Sequence, residues 1–292
     1  MADFISIASD RLTARINPLG AELWSLTDTT GREYMTDADP AFWTGHAPLL
    51  FPIVGALNGG RYRLDGREYP MPKHGFARAS HFTCVEASES RALFRLSDCK
   101  ESRTVYPFSF ELLMGFRLRD WTLEMEATVR NTGDTGLPFS FGFHPAFAWP
   151  LPGADKAAHR VTFAEPEPQP IRCIDADGLV LPEAKTSPVQ ERVIAPDASM
   201  FEADALIWDR LNSRALIFGA GEGPSLDIAF PDTPMLGIWQ KPGANYLCIE
   251  PWQGIADPQG FDGDFRDKPG VITISPGSER SFRMDVTILP GA

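Results

Sequence analysis

Three short stretches hold the residues of this chain whose types and neighbours suit chemistry. In YLCIEPWQG, residues 246 to 254, a glutamate sits inside an apolar run and is followed at once by proline and tryptophan. A carboxylate there is costly to desolvate unless hydrogen bonds or charges compensate. Glu250 is therefore either a strand-end residue satisfied by backbone donors or an arginine, or a proton acceptor whose basicity is set by a partly dry pocket. In FSFGFHPAFAWP, residues 139 to 150, His144 stands among glycine, prolines and four phenylalanines, and in MPKHGFAR, residues 71 to 78, His74 precedes a glycine. Each histidine is either a satisfied core or turn residue, or an imidazole at a pocket lip where its pKa suits acid or base work near neutrality.

Other chemistries have no foothold. His74, His144 and Glu250 form a conceivable two-His, one-carboxylate metal set, but no HxH, HxxxH or HExxH spacing supports it, so no metal is expected. There is no GxSxG elbow, no GxxxxGK[ST] loop and no GxGxxG after a strand, which leaves serine-hydrolase and nucleotide-dependent readings unsupported. Proton transfer is what remains. Trp149, Trp239 and Trp252 lie close in sequence to the candidate groups; they are either core residues or apolar faces on which a sugar ring packs.

The elements that must position these groups are strands. Between Phe108 and Leu118 the apolar residues occupy one parity, and between Trp121 and Val129 the other, which predicts two strands with a tight turn at Arg119–Asp120. Leu12 to Ile16, Ala92 to Leu96 and Phe282 to Ile288 alternate in the same way. No long segment carries a 3.6-residue apolar stripe, while 25 Gly and 26 Pro punctuate the chain, so helices should be few and short. The polar, proline-rich stretch from Glu165 to Pro196 reads as long surface connections within one all-β sandwich domain spanning residues 1–292.

The composition bounds the partners. A chain of 292 residues that is 43% hydrophobic buries a large core. Its formal charge of −12 disfavours nucleic acid and anionic membrane surfaces. The amino-terminal stretch shows no export signal, no apolar run spans a membrane, and Cys84, Cys99, Cys173 and Cys248 lack disulfide or zinc spacing, all of which fits a cytoplasmic protein.

Residues 47 to 78 (APLLFPIVGALNGGRYRLDGREYPMPKHGFAR), 139 to 151 (FSFGFHPAFAWPL) and 237 to 257 (GIWQKPGANYLCIEPWQGIAD) resemble, in this order, the three signature regions of the aldose 1-epimerase, or mutarotase, family. They are most similar to its shorter bacterial branch related to the lactose-operon epimerase-like proteins. The resemblance runs from GAELWSL near residue 20 to the closing ISPGSERSFRMDVTI. It implies a large antiparallel β-sandwich with a monosaccharide in an open cleft on one sheet. It further implies Glu250 as the general base at the anomeric hydroxyl, His144 as the general acid at the ring oxygen, and His74 as a residue positioning the sugar. Trp239 and Trp252 would wall the cleft. Asp204 in ADALIWD is the best match to a further polar group, with Asp209 second; both are equally readable as surface or turn acids.

One position departs from the family pattern. Relatives commonly carry arginine in FPIVGR, whereas this chain has Ala56 there. A guanidinium offers five donors and alanine none, so Arg78 and Lys73 become the replacements to consider, each also readable as a solvated charge. Two other readings accompany the mutarotase: a hexose-6-phosphate mutarotase, which needs a basic cluster, and a non-catalytic sugar-binding or regulatory protein on the same fold. A glycoside hydrolase would require Glu250 and Asp204 as paired carboxylates.

Overall fold

The computed structural model describes residues 4–291; Met1–Asp3, the first residues of the amino-terminal stretch read above, and Ala292 lie outside it. The expected alternation becomes the central hairpin. Phe110–Arg119 buries Phe110, Leu112, Met114, Phe116 and Leu118 on one face, and pairs antiparallel with Thr122–Asn131. Arg119 lies opposite Thr122, so the loop is Asp120–Trp121, one residue later than the sequence pattern placed it. Asp120 takes φ +46°, a region that aspartate enters more readily than most residues and that tight hairpins demand.

This hairpin is part of a nine-stranded antiparallel sheet. Its order is Val193–Ile194, Arg160–Phe163, Ala215–Gly219, Ser225–Ala229, Glu279–Leu289, Thr122–Asn131, Phe110–Arg119, Arg91–Ser97 and Thr83–Ala87. An eight-stranded sheet packs against it. Its main path runs Val180–Lys185, Ile171–Ile174, Leu206–Trp208, Met235–Trp239, Tyr246–Gln253, Phe141–Phe143 and Leu49–Leu50, with Ala146–Ala148 also paired to Tyr246–Gln253. Phe141 of one sheet stacks on Phe282 of the other at 5.0 Å between ring centroids. A buried phenylalanine of this kind contributes roughly 1.5–3 kcal/mol of transfer free energy. The fold is thus a large antiparallel β-sandwich, with one short α-helical turn at Ser102–Val105 and a few 3₁₀ turns among the described residues. Among the described residues no helix is long and apolar enough to cross a membrane.

The stretch from Glu165 to Pro196 corrects the sequence reading. It holds three strands, Ile171–Ile174, Val180–Lys185 and Val193–Ile194, of which the last two form outer edges of the two sheets. Edge strands have one solvated side, so VLPEAK pairs despite its polarity, and Pro182 is admissible there.

Candidate functional site

The strand Tyr246–Gln253 lies between Met235–Trp239 and the broken strand Phe141–Phe143/Ala146–Ala148. Seven of its eight residues are buried, because both of its faces are covered. Leu247 and Ile249 join the core between the sheets. By the two-residue period, Cys248, Glu250 and Trp252 point to the opposite face. Gly142 pairs with Trp252 and Ala146 with Cys248; counting inward from both, His144 stands directly opposite Glu250. Pro145 and Pro251 supply no N–H here, so the ladder is interrupted where the two candidate side chains face each other. His144 Nε2 lies 3.3 Å from Glu250 Oε2.

A cavity of about 200 Å³ opens over this pair. His74, Arg78, His144, Asp204, Trp239, Glu250 and Trp252 all line it, so the seven residues singled out in the sequence come together. Asp209 does not line it; its carboxylate accepts a hydrogen bond from Arg172 Nε at 2.8 Å. Trp149 is buried elsewhere, donating from its indole to the Lys156 carbonyl.

The local backbone explains several placements. His74 has φ +69° and is followed by Gly75 at φ +75°. A Cβ on Gly75 would collide with the Phe51 carbonyl, so only glycine lets the two segments touch. The same contact lets Gly55 N–H donate to His74 Nδ1 at 3.1 Å. His74 Nδ1 is therefore the acceptor, and its Nε2 carries the hydrogen. Asp204 has φ +81° and accepts from its neighbour Ala205 N–H at 2.7 Å. Trp252 is clasped by Gly142 and Gly237 on the two flanking strands, where any Cβ would run into the indole.

Trp43 was not found by sequence reasoning. Its ring stacks on His144 at 5.0 Å and 28°, while Trp239 meets Trp43 edge-on at 5.7 Å. It sits in a segment with no regular strand, and its only signal is an aromatic pair, FW, between turn-forming residues. Ile174, Gly178 and Ile207 also line the cavity without having been anticipated. Lys73 lines it as well. Ala56 lies just outside: its methyl group faces Gly178, at the edge of an open groove bounded by Leu57, Met71, Lys73 and Asp177.

Burial dominates the electrostatics. It raises the Glu250 carboxyl well above the ordinary range, and nearby Asp204 adds to this, while the Lys73 and Arg78 charges oppose it. His144 is pushed down to about 3 by burial, with Arg78 next in size. His74 is held well below its usual value, chiefly by burial, with the neighbouring His144 next. The pair thus favours the arrangement with one proton on the carboxyl and a neutral imidazole. His144 Nδ1 and Trp252 Nε1 are buried without a hydrogen-bond partner.

The chemistry available is transfer of protons between two facing groups and a ring-sized molecule on the aromatic wall. The donors with metal-ligand spacing are His144, Cys248 and Glu250, whose ligand atoms lie within 4.8 Å of one another; Cys248 takes the place that the sequence reading gave to His74. Burial raises the Cys248 thiol well above its usual value.

Comparison with known proteins agrees with this fold. The family model for aldose 1-epimerases matches residues 3–284. The chromosomal LacX protein of Lactococcus lactis subsp. lactis is 31% identical over 98% of this chain and 99% of its own. A galactose mutarotase related enzyme from Lactobacillus acidophilus superposes with a TM-score of 0.92 at 32% identity, over 99% of this chain and 98% of that one. A galactose mutarotase-like protein from Lactobacillus casei gives 0.90 at 27% identity, over 98% and 100%.

Proposed function

Since the chain belongs to the aldose 1-epimerase family, we propose that it interconverts the α and β anomers of a free aldose through ring opening, with residues 1–292 acting as one unit. The observation that carries this reading is the facing pair His144 and Glu250, 3.3 Å apart under a cavity walled by Trp43, Trp239 and Trp252. Glu250 takes the proton of the anomeric hydroxyl while His144 gives one to the ring oxygen. The C1–C2 bond turns, and the same two groups exchange roles as the ring closes on the other face of the carbonyl. Each transfer of this kind is worth about 10²–10⁴-fold. His74 donates from Nε2 near the ring oxygen, and Asp204 binds hydroxyls. No electron or phosphoryl group moves, so the reaction needs no cofactor. The free state of all four cysteines suits a cytoplasmic setting.

In this cycle the pair carries one proton throughout: it rests on the Glu250 carboxyl, crosses the 3.3 Å to His144 before opening and is back on Glu250 after it. The macroscopic titrations belong to the pair. A second proton enters only near the depressed His144 value of about 3, and the shared proton leaves only above the raised Glu250 value. The rate of anomer exchange should therefore stay flat as pH falls through the ordinary glutamate value of 4.5. It should drop near 3, and on the alkaline side as the shared proton is lost. A pH–rate profile with an acid limb at an ordinary carboxylate pKa would sink the shared-proton cycle.

Saturation-transfer NMR of anomer exchange across free aldoses tests the function. Exchange above the spontaneous rate supports it; binding without acceleration for every sugar removes it. A second reading, a hexose-6-phosphate mutarotase, is favoured by Lys73 and Arg78, which place two cations on the cavity wall. Sugar 6-phosphates in the same panel separate the two.

A further inference from the structure

The proposed cycle uses His144 and Glu250 and leaves a third buried group beside them without a task. Cys248 precedes Glu250 by two residues on one strand and so shares its face. It is fully buried, among Ala146, Ala244 and Tyr246. Its Sγ, a ring nitrogen of His144 and a carboxylate oxygen of Glu250 lie within 4.8 Å of one another. Among the described residues no other three His, Cys, Asp or Glu donors converge in this way.

We propose that this trio is an inhibitory site for a thiophilic divalent cation, Zn²⁺ foremost. Cys248 Sγ, His144 Nε2 and a Glu250 oxygen are the ligands, and the fourth position opens to the cavity. The inhibition rests on the mutarotase reading; the binding does not. The donor set selects the metal: sulfur and imidazole suit zinc, whereas magnesium and calcium take oxygen. Zinc bonds of about 2.0–2.3 Å at tetrahedral angles put ligand atoms roughly 3.3–3.6 Å apart. His144 and Glu250 already meet this at 3.3 Å. The widest separation the trio allows must close by roughly 1 Å, a movement within reach of a thiol rotamer.

Binding releases the Cys248 thiol proton and the proton shared by His144 and Glu250 to solvent, and no electron moves. The cation occupies the place of the proton on which anomer exchange depends, so metal and catalysis exclude each other. Lys73 and Arg78 repel the cation and Asp204 attracts it, which suits a reversible inhibitor better than a resident ion.

The test uses the full chain with Co²⁺ and Zn²⁺ as probes. Stoichiometric Co²⁺ should produce a thiolate-to-cobalt charge-transfer band in the near ultraviolet that Zn²⁺ displaces. Zn²⁺ should stop anomer exchange at micromolar concentration, and saturating sugar should raise the concentration required. Cys248→Ala should lose both the band and the inhibition yet keep anomer exchange. A variant with Cys84, Cys99 and Cys173 all changed to Ser retains only Cys248 and should keep the band, which decides the matter even when Cys248→Ala does not fold. Absence of a band in that variant, or zinc inhibition undiminished in Cys248→Ala, overturns the proposal. A band without exchange of any sugar refutes the mutarotase reading and leaves the metal site standing; exchange without a band does the reverse.

Discussion

Glu250→Gln is expected to lower catalysed anomer exchange by on the order of 10²–10⁴-fold while sugar binding survives. The amide keeps the shape of the carboxyl, so the aromatic wall of Trp43, Trp239 and Trp252 remains in place. What is lost, in the proposed cycle, is the acceptor for the anomeric proton. A residue that only binds sugar would show a different pattern, with affinity falling and turnover at saturation preserved. Saturation-transfer NMR at saturating sugar, with affinity measured separately by calorimetry, reads the two quantities independently. Full activity in this variant would remove Glu250 from the mechanism.

His144→Asn is expected to cause a loss of similar size for the complementary reason. Asparagine retains a donor, so hydrogen bonding to the ring oxygen persists in the ground state, yet it delivers no proton as the C1–O bond breaks. The substitution also leaves Glu250, 2% exposed, without the partner 3.3 Å away. A buried carboxyl deprived of its partner holds its proton more firmly, so the alkaline limb of the residual pH–rate profile should move to higher pH. Were His144 only a packing residue under Trp43, the profile would keep its shape. The double variant should lose little more than either single one, because the two groups act as one proton-sharing unit.

The parts of the fold that were legible in the sequence are those where one face is buried and the other wet. The period-two pattern around Phe110–Arg119 and Thr122–Asn131 marked its own strands and missed the turn by one residue, since Arg119 and Asp120 are both acceptable at a hairpin end. The strand Tyr246–Gln253 shows no alternation, because the core covers one face, and the cavity together with the apolar cluster around Cys248 covers the other. There a lone charged residue in an apolar run was the informative signal. The edge strands between Glu165 and Pro196 were read as connections, since their polar, proline-containing sequence is what an exposed sheet edge permits. Trp43 and Gly178 reached the cavity from segments with no pattern, so only the packed structure brings them there. Ala56 was flagged as a departure; its place at the cavity's margin beside Gly178 follows from tertiary contacts.

The burial of Glu250 also acts on the stability of the whole protein. In the unfolded chain Glu250 ionises at its ordinary value of 4.5, whereas the fold raises that value. Between the two values the folded state binds more protons, so its advantage over the unfolded chain shrinks as pH rises. His144 has the opposite slope: its pKa falls from 6.5 to about 3 on folding, so its protonation withdraws stability as pH falls through that interval. In the region where both intervals overlap the two slopes oppose each other. Glu250→Gln removes the first and leaves the second. The inactive variant should therefore unfold at a higher temperature than the parent at alkaline pH, with the difference narrowing on acidification, as differential scanning calorimetry would record. The carboxylate proposed to move the proton thus costs the fold stability at alkaline pH.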